Sequence, residues 1–188
     1  GGYDAVSYKE LNYGVFQKRN LRRRIACWIY NHATEIWVVH KSLKYGCKNS
    51  KNMLNIDSGI KIFLKNINTE IKEVATGYDF SFWKPTKNRR NKNTILTVAN
   101  IDNFRTFKRK GLPQFIELAR SLHDFKFTIV GLSKKMILDI EKPKNITLIG
   151  KVNSNKLIEL YSENFFYFQG SIIEGLPNVL CEAMLCEC

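Results

Sequence analysis

The 188 residues are 44% hydrophobic and 12% aromatic, enough for one good core or two small ones. No apolar run approaches a membrane span, no signal peptide opens the chain, and five irregularly spaced cysteines give no disulfide framework, so a reducing cytoplasm is the expected setting. The net charge of +13 is concentrated: residues 1–93 hold 18 Lys/Arg against 7 Asp/Glu (+11) and residues 94–188 hold 12 against 10 (+2), which points to a localised anionic partner.

In chain order, Gly1-Gly2-Tyr3-Asp4 starts abruptly, and residues 5–14 show no period and read as a loop. From Val15 to about Ile36, the apolar residues Leu21, Ile25, Trp28, Ile29 and Ile36 fall on one helical stripe. Lys18, Arg19, Arg22, Arg23 and Arg24 lie around the other faces. Two readings of this basic amphipathic helix stay open. It lies on an anionic bilayer surface through Lys18–Arg24, or it packs into a core with a solvated basic face. Glu35-Ile-Trp-Val-Val-His40 reads as a strand and Lys41-Ser-Leu43 as a helix start, with no role assigned to His40. Residues 46–60 are polar and join this helix to another short one, and Ile71–Ala75 reads as a short strand. Lys84–Asn93, rich in Pro, Asn, Lys and Arg, reads as a basic linker.

Thr94–Ala99 is a β-branched buried strand. A loop over residues 100–111 carries four cations in six residues, Arg105, Lys108, Arg109 and Lys110, just before a helix from Leu112 to about Leu122. Lys126–Gly131 and Ile146–Gly150 are further strands, and Asn155–Tyr161 is a helix. This alternation implies an α/β fold with a doubly wound parallel sheet, whose ligands bind beyond the carboxyl ends of the strands. The loops at those ends place Lys110, Lys151 and Glu174 on one rim.

The most informative stretch follows the apolar run Phe165–Phe168, a buried strand. Ser171-Ile-Ile-Glu174-Gly175-Leu176-Pro177-Asn178 forms a polar loop, and Val179, Leu180, Ala183, Met184 and Leu185 recur at helical spacing, with Pro177 suited to the first turn. A helix start offers free N–H groups and a positive dipole end to a phosphate. Glu182 stands five residues past Pro177, roughly 7.5 Å along the helix. Glu174 at the mouth of such a site and Glu182 one step deeper can hold sugar hydroxyls on both sides of a diphosphate. Cys181, Cys186 and Cys188 crowd this helix but lack a matching second pair, so they read as reduced core and no metal site is assigned.

Ser171-x-x-Glu174-Gly175-Leu176-Pro177-Asn178-x-Leu180-x-Glu182-Ala183-Met184 resembles the Glu-x7-Glu signature of glycosyltransferase family 4, the retaining enzymes with the GT-B fold. Thr76-Gly77-Tyr78-Asp79 with Phe82-Trp83-Lys84-Pro85 is similar to the segment closing the N-terminal domain of that family, with Thr76 in place of its usual Asn. Lys110-Gly111 matches the Lys-Gly of its donor loop, whereas Ala99-Asn100 stands where Gly-Arg is usual, making Arg105 the candidate substitute for the missing Arg.

The resemblance implies residues 1–83 as the end of an acceptor-side domain, 84–93 as linker and 94–188 as a donor-binding Rossmann-like domain, both domains cut short. It implies a nucleotide-diphosphate-sugar donor, a glycan or lipid-linked acceptor, retention at the anomeric carbon and no cofactor or obligatory metal. Cell-surface glycan or polysaccharide synthesis is the implied setting, in the cytoplasm or peripheral on the inner face of the membrane. Lys110, Glu174 and Glu182 take the catalytic positions: Lys110 with Arg105 neutralises the diphosphate, Glu174 orients the transferred sugar and Glu182 grips the ribose. Asn100, Lys151, Ser171, Gly175, Leu176, Pro177 and Asn178 complete the substrate-binding set. The resemblance further implies that this stretch alone turns over no sugar nucleotide.

Other readings fit less of the chain. A nucleic-acid-binding protein explains the charge, yet no binding module is recognisable and the aromatic residues read as buried. A dinucleotide-dependent oxidoreductase shares the sheet, yet no Gly-x-Gly-x-x-Gly follows any strand. A noncatalytic, membrane-associated protein with this fold is the third.

Overall fold

The computed structural model describes residues 2–86 and 90–188; Lys87, Asn88 and Arg89 of the expected linker lie outside the described residues. Two compact units emerge, Gly1–Gly77 with Ile173–Leu176, and Tyr78–Ile172 with Pro177–Cys188. Residues 78–83, grouped with the first domain from sequence, thus cluster with the second unit. Asp79 Oδ1 accepts from the N–H groups of Ser81 and Phe82, closing a turn that delivers Trp83 into the second unit's core.

The first unit contains β1 (Val6–Ser7), α1 (Leu21–His32), β2 (Glu35–Val38), α2 (Lys41–Tyr45), α3 (Lys48–Leu54), β3 (Asp57–Ser58), α4 (Ile60–Phe63) and β4 (Glu70–Glu73). Its sheets are short: β1 pairs antiparallel with β3, and β2 pairs parallel with β4. Ala5, Val38, Leu43, Ile60 and Ile71 form its core.

The helix expected over Val15–Ile36 is shorter at both ends. Asn20 caps it, its side chain accepting from Arg23 N–H at 3.1 Å. Ala33 ends it in extended backbone, and Ile36 belongs to β2. The apolar stripe is not core: Leu21 is 68% and Trp28 62% exposed, with Ile25 and Ile29 also exposed. His40, given no role from sequence, caps α2, its Nδ1 accepting from Ser42 N–H.

The second unit contains β5 (Asn91–Ile101), α5 (Phe104–Arg109), α6 (Leu112–Ser121), β6 (Lys126–Leu132), α7 (Lys134–Asp139), β7 (Ile146–Gly150), α8 (Ser154–Glu163), β8 (Asn164–Tyr167) and α9 (Asn178–Leu185). Its four strands are all parallel in the order β7-β6-β5-β8. Residues 95–99 of β5 are all buried, as expected of a strand covered on both faces. Ile95 and Ala99 join one core with Phe115, Phe127 and Ile129, while Leu96 and Val98 join a second with Val130, Tyr161 and Ala183. β5 starts at Asn91, inside the expected linker, and α5 lies inside the expected cationic loop, begun by Asn103, which accepts from Thr106 N–H at 2.9 Å. The fold is therefore α/β with a parallel, Rossmann-like sheet.

Candidate functional site

The strand order puts a topological switch point between β5 and β8, where the chain stops adding strands on one side and adds one on the other. Parallel sheets bind ligands outside the carboxyl ends of such strands. Here those ends lead into the β5–α5 and β8–α9 connections. The two connections touch through backbone. Ile172 N–H donates to Arg109 C=O at 2.9 Å. Gly111 begins α6 in left-handed conformation (φ +72°), and a Cβ there would lie 2.0 Å from Gly170 O, so glycine is required on both counts.

The cations proposed from sequence occupy this neighbourhood on a helix rather than an open loop. Asn100 is exposed near the end of β5, Arg105 is exposed in the first turn of α5, and Lys110 is the half-buried C-cap of α5, its N–H bonded to Thr106 C=O. A helix turns about 100° per residue, so Arg105, Lys108 and Arg109, three and four positions apart, share one face of α5 in a sector about 100° wide. Lys151, just after β7, pairs with Asp102 at 3.2 Å, so an anion there competes with a carboxylate.

Along the β8–α9 connection, Ser171 Oγ accepts from Gln169 Nε2 at 2.9 Å. Glu174, Gly175 and Leu176 fall in the segment that clusters with the first unit, where a Cβ on Gly175 would stand 2.9 Å from Leu43 Cδ1. Pro177 caps α9 and Asn178 is its first residue, so the helix starts one residue later than the first-turn proline expected. Proline offers no side-chain oxygen to this helix start. Asn178 Oδ1 accepts from Tyr78 OH at 3.0 Å. Burial, then Cys181 and Glu182 nearby, pushes the Tyr78 phenol up to about 12, which keeps it a neutral donor.

Glu182 is half-buried on α9 and accepts from Tyr161 OH at 3.3 Å. Burial raises its pKa above the ordinary carboxylate range, and the Tyr161 hydrogen bond pulls partly the other way. A carboxylate so placed keeps one oxygen, Oε1, that the Tyr161 hydrogen bond does not engage. Among the described residues no group of three or more His, Cys, Asp or Glu is arranged to hold a metal ion. Cys181, Cys186 and Cys188 are free, and burial raises Cys186 and Cys188 to about 11, leaving both as thiols near neutral pH.

The sequence alone gives no site role to Tyr78 or Asn103 and places Tyr161 only at the end of a helix. Asn103 carried a usable signal, an Asn just before an apolar residue at a strand-to-helix turn. Tyr161 lies 21 residues from Glu182 on a different helix, a distance no local spacing reports.

A family model described as Glycosyl transferases group 1 matches residues 79–188. Among solved structures the chain is similar to sucrose-phosphate synthase from Thermosynechococcus elongatus, at 15% identity and a TM-score of 0.67 over 96% of this chain and 46% of that one. It is similar to a mutant of S. aureus TarM in complex with Fondaparinux, alpha-GlcNAc-glycerol and UDP, at 14% identity and a TM-score of 0.66 over 97% and 34%. An alpha-glucosyltransferase in complex with UDP-glucose and DNA containing an abasic site aligns at 14% identity and a TM-score of 0.56 over 89% and 47%. These likenesses establish a GT-B type fold, and the chain spans between 34% and 47% of the length of these structures. No match is found among curated proteins.

Proposed function

The chain belongs to the glycosyl transferases group 1 family, and from that premise we propose that it contributes the donor-binding part of a retaining glycosyltransferase using a nucleotide-diphosphate-sugar. The observation that carries this reading is the Glu174-x7-Glu182 connection leaving the switch-point strand β8 inside the matched region. Lys110, with Arg105 and the N–H groups following Gly175, neutralises the charge that grows on the departing diphosphate. Glu174 orients the transferred sugar and Glu182 accepts from the ribose. Asn100, Lys151, Ser171, Leu176, Pro177 and Asn178 line the same donor. The TarM and alpha-glucosyltransferase complexes contain UDP and UDP-glucose, which makes uracil the first base to try. A glycan or lipid-linked acceptor and a role in surface polysaccharide synthesis complete the reading. A thermal-shift panel of UDP, GDP and ADP on the full-length protein tests it. Saturable stabilisation by one nucleotide is expected, and none by any of the three contradicts it.

A second reading concerns location. No helix among the described residues is long and apolar enough to cross a membrane. On α1, helical geometry places Leu21, Ile25, Trp28 and Ile29 in a sector about 100° wide with Arg22 and Arg24 on its two flanks. All six side chains are exposed, while Arg23 is held over the Phe16 ring at 5.8 Å. Apolar residues and Trp flanked by arginines suit the headgroup boundary of an anionic bilayer. Each Arg at such a surface contributes about 1 kcal/mol, so replacing Arg22 and Arg24 with Gln should release the protein from phosphatidylglycerol vesicles as salt rises. Absent or salt-independent binding by the wild type removes this role.

A further inference from the structure

Tyr161 is fully buried on α8, and its ring is held between Trp83 and Tyr167, with centroids 6.3 and 5.9 Å away. Leu96, Val98 and Ala183 belong to the same buried core, and a close-packed interior holds a ring of this size in place. A tyrosine buried this deeply must find an acceptor for its hydroxyl or bear the cost of desolvating it. The acceptor it finds is Glu182 Oε2 at 3.3 Å, on the neighbouring helix α9.

We propose that Tyr161 is a positioning residue for Glu182. Its fixed hydroxyl donates to Oε2 and so turns Oε1 toward the ribose hydroxyls of a bound nucleotide. This rests on the donor reading above and adds a residue that reading does not contain. A half-exposed glutamate samples several rotamers, and a donor anchored in the core selects one before the ligand arrives. Charge supports the same division of labour. Burial raises the Tyr161 phenol far above its ordinary value, so it stays a neutral donor, while its hydrogen bond lowers the Glu182 pKa against the effect of burial. Glu182 in turn adds to the burial that pushes Tyr78 up to about 12 and Cys186 up to about 11. Both stay neutral in the acid range, so they do not titrate alongside Glu182.

The test is calorimetric titration of UDP, GDP and ADP into the full-length wild type, Tyr161→Phe and Glu182→Gln, with the 2′,3′-dideoxy analogue of whichever nucleotide binds. Phenylalanine keeps the ring in place and removes only the hydroxyl, so the melting temperature should hold. Tyr161→Phe should weaken the ribonucleotide by about threefold to tenfold, the range for one hydrogen bond, and leave the dideoxy analogue unchanged. The acid limb of the binding profile should move to higher pH in Tyr161→Phe, because the bond that lowers the Glu182 pKa is gone. Equal loss for both nucleotides would show a structural role only and overturn the inference. So would a loss in Glu182→Gln with none in Tyr161→Phe, or no loss in either variant. A wild type that binds none of the three nucleotides would overturn the donor reading itself, and the inference with it.

Discussion

Helices α1 and α6 have similar apolar spacing and opposite fates. In the second unit, α6 buries Leu112, Phe115, Ile116 and Ala119 against a four-stranded parallel sheet. In the first unit, α1 buries none of its residues, and the nearby sheets have two strands each. Periodicity says which side chains share a face; only a partner surface decides whether that face is a core. Charge does not separate the two: the first unit holds 13 Lys/Arg against 7 Asp/Glu (+6) and the second 17 against 10 (+7). The second unit packs the apolar face of its helix, and the first leaves that of α1 exposed.

Phe115 is fully buried, edge-on to Phe127 with ring centroids 5.2 Å apart. Phe115→Ala should cost about 3–5 kcal/mol of stability, whereas exposed Ile25→Ala on α1 should change it by about 0.5 kcal/mol or less. Equal shifts in denaturant midpoint would mean that α1 is packed in solution.

Two glycines sharpen the contrast at smaller scale. Gly111→Ala in the second unit forces a left-handed alanine against Gly170 O and should cost about 1–3 kcal/mol from backbone strain alone. Gly77 in the first unit has open space around its Cβ position, so Gly77→Ala should be neutral or gain up to about 1 kcal/mol. Urea unfolding of the two variants separates these outcomes.

A subtler effect comes from Glu182, whose folded-state pKa is raised by burial. A raised carboxyl pKa means that stability is fully present below the unfolded value and declines as pH rises through the folded one. Glu182→Gln should therefore melt slightly higher than wild type at neutral pH, with the gap closing in acid, while binding nucleotide worse. A uniform gap at all pH values would assign the effect to packing.

The parallel sheet follows from strands and helices alternating after residue 94, whereas its order β7-β6-β5-β8 does not; the stretch from Phe165 to Leu185 is readable because a buried strand, a proline-bearing turn and an apolar helix are each local signals. From sequence the cationic segment 105–110 reads as loop, since one Asn cap and two turns are too short for a periodic signature. The apolar stripe of α1 runs on to Ile36 in sequence only because this strand isoleucine falls in helical phase. The alliance of Tyr78 with Asn178, and of Tyr161 with Glu182, depends on contacts between distant parts of the chain. So does the clustering of Ile173–Leu176 with the first unit. Tertiary packing creates these, and no window of sequence contains both partners.

On the proposed function, the second unit's switch point binds a nucleoside diphosphate through Lys110 and Glu182. Calorimetric titration of UDP, GDP and ADP into full-length wild type, Lys110→Ala and Glu182→Gln tests it most directly. One nucleotide should bind saturably to the wild type, and Lys110→Ala should weaken it by about 1.5–3 kcal/mol, the range for a charged hydrogen bond, with a measurable loss in Glu182→Gln as well. Equal affinity across the three proteins would contradict the claim, as would wild-type protein that binds none of the nucleotides.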